Sequence, residues 1–162
     1  LIPNGPAGPA FATAYGQFYD LTNQTNDSSS NVVTFSDALM SEGVTLVDGD
    51  TLVPDLDGIY NLQLSIVAQK TGGGHGDIDV WPVVNGSPVA DANTRGSVAG
   101  NNVHVVLAWN LYLNLDAGDE VQLLWWSDAA ATTLQAYTGL TNPIRPNIPS
   151  VIVTMMRIAD LP

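Results

Sequence analysis

Two histidines, no cysteine and no Gly-x-Ser-x-Gly segment bound the covalent and acid–base chemistry open to this 162-residue chain. A Ser-His-Asp hydrolase needs a nucleophile on a sharp turn and a base oriented against it. Here His75 stands in "TGGGHGD", and His104 falls in a strand-like run, out of phase with its apolar residues. His104 reads as a surface or interface residue, and His75 as part of a loop tip where glycines permit unusual φ angles. The missing cysteine removes thiolate nucleophiles, disulfides and Cys-ligated metals. "KTGGGHG" has the glycines of a phosphate loop, but Lys70 precedes them at a strand end, where the phosphate loop needs Gly-Lys-Ser/Thr opening a helix. It reads as a hairpin loop, with Gly73, Gly74 and His75 as its candidates for touching a ligand or receptor. No enzyme is expected; a depolymerase would need two carboxylates at glycosidase separation.

Carboxylates do come in close pairs: Asp48 and Asp50, Asp55 and Asp57, Asp77 and Asp79, then Asp116, Asp119 and Glu120. Calcium takes oxygen ligands from such loops, yet no run has EF-hand spacing. Turn formation and solubility explain most of them, and no metal is required. Asp77 and Asp79, on one strand face beside the glycine loop, are the candidates should calcium bind. Asn23, Asn26 and Asn85 each begin an Asn-x-Ser/Thr triplet, which matters only in a secretory host.

The large residues are Trp81, Trp109, Trp125, Trp126, Tyr112 and Tyr137. Trp109 and Trp125 share a phase with Leu111 and Leu123 and belong to the core. Trp81, Tyr112 and Trp126 fall out of phase with their strands' apolar sets. With Tyr137 they predict an apolar interface patch. The rival reading makes Trp81 and Trp126, with the glycine loop, a sugar-stacking platform.

The elements that must hold these residues read as strands. In "GIYNLQLSIVAQK", Tyr60, Leu62, Leu64, Ile66 and Ala68 share one face, the period of two of a half-buried strand. "NVHVVLAWNLYLNL" puts Val103, Val105, Leu107, Trp109, Leu111, Leu113 and Leu115 on one face. "DIDVWPVV" ends at Asn85-Gly86, a tight hairpin signal, and Pro82 predicts an edge or bulge there. About eight to ten strands are expected. "FSDALMSEG", from Ser36 as N-cap to Gly43 as stop, is the one short helix candidate. Short strands joined by Gly, Asn and Asp turns predict an all-β antiparallel sandwich, barrel or jelly roll.

Four segments then fall in a fixed order: "DLDGIYNLQLSIVAQ", "VWPVVNGSPVA", "LYLNLDAGDEVQLLWW" and "IPSVIVTMMRIA". Together they resemble the C1q and TNF-like jelly-roll superfamily, particularly its viral and bacterial members, over roughly Gln17 to Ala159. The resemblance implies an antiparallel jelly-roll sandwich and a homotrimer, with Trp81, Tyr112, Trp126 and Tyr137 buried between subunits. It also gives "GPAGPA" a meaning, because such heads often sit on collagen-like stalks. Gly5, Pro6, Gly8 and Pro9 keep glycine at every third position, as a triple helix demands. Residues 1–11 then form a stem remnant and 12–162 the head.

Sixteen Asp and Glu against four Lys and Arg leave a net charge of −12, which repels nucleic-acid phosphates and anionic lipid. No apolar run approaches a membrane span. The combined expectation is a non-enzymatic structural or adhesive head of a surface fibre or decoration on a virion. Its partners would be two further copies, fibre proteins at the N-terminus and a host-surface glycan. The alternative is a lectin-like module, extracellular or on a bacterial surface.

Overall fold

A computed structural model describes residues 12–27 and 29–162, and the stem residues Gly5, Pro6, Gly8 and Pro9 lie outside them. The period of two is realised as strands throughout. In chain order they are β1 (Tyr15–Asp20), β2 (Gln24–Thr25), β3 (Asn31–Val32), β4 (Asp37–Glu42), β5 (Val44–Val47), β6 (Thr51–Pro54), β7 (Gly58–Lys70), β8 (His75–Val84), β9 (Ser87–Pro88), β10 (Thr94–Ala99), β11 (Val103–Leu115), β12 (Val121–Ser127), β13 (Thr132–Leu134), β14 (Leu140–Thr141), β15 (Ile144–Arg145) and β16 (Val151–Ala159). Eight of these have six residues or more, as expected; the rest are short pieces of two to four.

Two antiparallel sheets form the sandwich. The first runs β4-β1-β16-β7-β11, with β13 continuing along β7 where β16 leaves off and β2 beside β13. The second runs β10-β8-β12-β6-β5, with β3 on β12 and β9 on β8. Their facing sides interdigitate: Phe18, Tyr60, Leu62, Leu64, Ile66, Val153 and Met155 from one, and Ile78, Val80, Val121, Leu123 and Trp125 from the other, are all buried. Burial of this apolar surface is the main stabilising contribution.

Three local expectations are corrected. "FSDALMSEG" is no helix: Asp37–Glu42 is β4, paired to β1 with a bulge at Gln17/Phe18. A helix of so few residues cannot hold itself without tertiary support, and the free edge of β1 offers a ladder. Gly43, at φ +67°, then turns β4 into β5. Pro82 does not mark an edge, because β8 lies inside its sheet; the proline falls where pairing to β10 has ended at Val80 and pairing to β9 has not begun at Val83. In β11, Leu107, Leu113 and Leu115 are buried, but Val103 is exposed and Trp109 and Leu111 only half covered. β11 is the edge of its sheet, paired to β7 alone.

Candidate functional site

At one end of the sandwich the ordered sequence motifs clasp one another. Asn85 Nδ2 donates to Asp119 Oδ1 at 2.7 Å, and Asn85 Oδ1 accepts the Glu120 amide at 2.9 Å, so the Asn-Gly hairpin is tied to the Ala-Gly-Asp turn. Asp119 Oδ2 accepts the Asp116 amide at 2.9 Å, and the Ala117 amide donates to Asp57 Oδ1 at 2.7 Å. Ser150, fully buried, donates its amide to Asp20 O while its own carbonyl accepts from Val67. Gly58 leaves room for β16, since a Cβ there would meet Arg157 Nε at 2.5 Å and Ala159 O at 2.7 Å. These motifs are scaffold.

The glycine loop is fastened from inside. Lys70 is buried, and its Nζ donates to Gly72 O at 3.1 Å and Gly73 O at 2.7 Å. The Gly72 amide donates to Asn101 Oδ1 at 2.8 Å. The lysine thus holds loop carbonyls, not a phosphate. Gly73, Gly74 and His75 are exposed at the tip.

Asp77 and Asp79, the expected calcium candidates, are taken by side chains instead. Asp79 receives Arg95 Nε and Nη2, each at 2.7 Å, a two-pronged pair that pushes the guanidinium further above its already high range. Asp77 receives the Ser97 hydroxyl at 2.6 Å and lies 3.4 Å from His75 Nε2. Serine and histidine both approach Asp77 Oδ1, and among the described residues no hydrogen bond joins His75 to Ser97 Oγ, as a base and its nucleophile would need. Among the described residues no group of three or more His, Cys, Asp or Glu could hold a metal ion.

The four aromatics expected at one interface divide between opposite faces of the sandwich. Tyr112 and Tyr137 lie on the outer side of the first sheet; Trp81 and Trp126 lie on the outer side of the second, where Trp126 pairs with Asp79 and Trp81 with Leu124. Even on their shared face the tyrosines stand apart. Tyr137 is hydrogen-bonded to His104 Nε2, eight residues and so roughly 27 Å along β11 from Tyr112. Tyr137 closes a hollow of about 350 Å³ with Val67, His104, Val106, Arg145 and Ile148, and burial there raises its phenol pKa. Nor does the glycine loop reach the tryptophans, since six residues of extended β8, on the order of 20 Å, separate His75 from Trp81.

The outer side of the first sheet carries the larger apolar exposure. Across β11, β7, β16 and β1 the register sets Tyr112, Asn61, Met156 and Tyr15 in one row. Tyr112 is 63% exposed, Val106 60%, Met156 46% and Ile158 41%. Asn61 lies buried among them, and its Oδ1 has no hydrogen-bond partner among the described residues. Sequence reasoning missed Val106, Met156, Ile158 and Asn61; the alternation in β11 puts Val106 on the same face as Tyr112, six residues and so roughly 20 Å along the strand.

With this geometry in view, the solved structures give the class. Murine APRIL superposes with a TM-score of 0.55 at 12% identity, covering 91% of this chain and 100% of its own. A second murine APRIL structure gives 0.57 at 10% identity over 91% of this chain and 100% of its own. The globular domain of zebrafish complement 1qA gives 0.54 at 13% identity over 92% of this chain and 98% of its own. The chain has the C1q/TNF-like jelly-roll fold. No family model matches it, and neither does any curated protein sequence.

Proposed function

We propose that the chain is the non-enzymatic head of a homotrimeric surface fibre, displayed on a virion, whose subunits meet through the outer side of the β4-β1-β16-β7-β11 sheet. The observation carrying this reading is the row from Tyr112 to Met156, with Ile158 beside it, Val106 exposed further along β11 on the same face, and the unsatisfied Asn61 acceptor within it. An apolar sheet face and an open edge strand of thirteen residues are each covered in stable proteins. A three-fold contact is heterologous, so each subunit gives two different patches. The edge strand β11, with Tyr112 and Val106, is one; the middle of the same face, with Met156 and Ile158, is the other.

The virion setting rests on the Gly-Pro-Ala triplets and on the resemblance to viral jelly rolls, and the non-enzymatic reading on histidines that meet Asp77 and the Tyr137 hydroxyl but, among the described residues, no serine. Hydroxyl-radical footprinting of the intact protein tests the contact. Tyr112 and Met156 are expected to be protected while Trp81 and Trp126, on the opposite face, stay reactive. Labelling of Tyr112 and Met156 at the rate of freely exposed side chains would overturn it.

A further inference from the structure

On the face turned away from that contact lies a hollow of about 620 Å³, lined by Asp79, Trp81, Pro88, Val89, Asp91, Asn93 and Trp126. We infer that it is a binding site for an uncharged pyranose of a glycan, with Trp81 and Trp126 as the stacking floor and Asp79, Asp91 and Asn93 as hydroxyl-binding groups. The reading does not depend on trimer formation, since the hollow sits on the opposite sheet.

The floor is built by register. Trp81 on β8 pairs with Leu124, and Trp126 on β12 pairs with Asp79, so the two indoles are diagonal neighbours on one face, close enough for large side chains to share a ligand. Both rings remain partly exposed. The wall is the segment after the Asn85-Gly86 turn: it folds back on β8 through Val83↔Pro88 pairing and a 3.0 Å bond from the Val89 amide to Pro82 O. The segment then turns at Asp91, φ +57°, and rejoins the sheet at Thr94 opposite Val80.

The polar groups suit hydroxyls. The two oxygens of Asp79 each accept one Arg95 bond, which fixes the carboxylate and leaves each oxygen a further lone pair. Among the described residues the side chains of Asp91 and Asn93 make no hydrogen bond, so they are unspent at the rim of an aromatic floor. A pyranose offers one apolar C–H face and a ring of hydroxyls, matching an indole floor with acceptors around it. Two carboxylates on a chain of net charge −12 oppose sialylated, sulfated or uronic sugars. The ligand class is therefore neutral.

The test is a printed array of neutral and acidic glycans, followed by tryptophan-fluorescence titration with the best-bound neutral oligosaccharide. The expected result is saturable binding to at least one neutral glycan, weakened tenfold or more in Trp81→Ala and Trp126→Ala and several-fold in Asn93→Ala. The last is a rim change away from the left-handed turn at Asp91, and unaltered circular dichroism confirms folding in each variant. Binding to no neutral glycan, binding only to acidic ones, or affinity unchanged in folded Asn93→Ala and Trp81→Ala would overturn the site.

Discussion

Tyr112 and Asn61 face each other across β11 and β7, the tyrosine nearly two-thirds exposed and the asparagine buried with an unsatisfied Oδ1. A buried acceptor without a donor costs about 1–3 kcal/mol. Finding one inside an apolar row is what a surface completed by another molecule would show, and the proposed subunit contact rests on it.

Val106→Asp puts a charge on the edge-strand patch of the proposed contact. Because Val106 is exposed in the single chain, the fold should persist with an unchanged circular dichroism spectrum, while the trimer mass falls to that of a monomer. A charged group buried unpaired between subunits is strongly disfavoured.

Gly58→Ala forces a Cβ against Arg157 and the Ala159 carbonyl, so β16 must move or β7 must bend. Overpacking of this kind costs about 1–3 kcal/mol. Denaturant titration should show the midpoint lowered with an unchanged slope.

Tyr60 predicts an alkaline limb. Burial raises its phenol pKa above the ordinary value near 10, with Arg157 pulling the other way, and its hydroxyl donates to Leu56 O at 2.7 Å. Above pH 10 the unfolded chain loses this proton first, so the stability Tyr60 contributes is intact below pH 10 and is lost as pH rises through the folded value. Tyr60→Phe should lose about 1 kcal/mol at neutral pH and show a shallower fall above pH 10. Parallel curves for the two proteins would contradict the assignment.

Lys70→Met removes the only donor from Lys70 to the Gly72 and Gly73 carbonyls while keeping the buried stem. Hydrogen exchange at Gly72–Gly74 should quicken, and stability should drop by about 1 kcal/mol. The core strands should exchange as before.

Much of this architecture was legible because period-two alternation is a local signal. Tyr60, Leu62, Leu64, Ile66 and Ala68 all proved buried as their spacing required, and Asn85-Gly86 forms the turn that its φ values of +50° and +77° demand. Motif order carried the fold class because the motifs bind one another: Asn85 to Asp119, Asp57 to Ala117, Gly58 against Arg157. What depended on distant partners was not legible. Phase alone shows that Trp81 and Tyr112 are both off the core side of their strands, but only the assignment of β8 and β11 to different sheets puts them on opposite faces. Asp77 and Asp79 looked available because nothing in sequence brings Arg95 and Ser97 to them; the β8–β10 register does. β4 was misread because six residues carry no period long enough to outweigh a cap and a glycine.

The absolute mass of the intact protein in solution, by light scattering at micromolar concentration, tests the central claim most directly. A mass near three times 17.1 kDa is the result expected of a three-fold contact through Tyr112, Val106 and Met156. A monodisperse species at 17.1 kDa would contradict it.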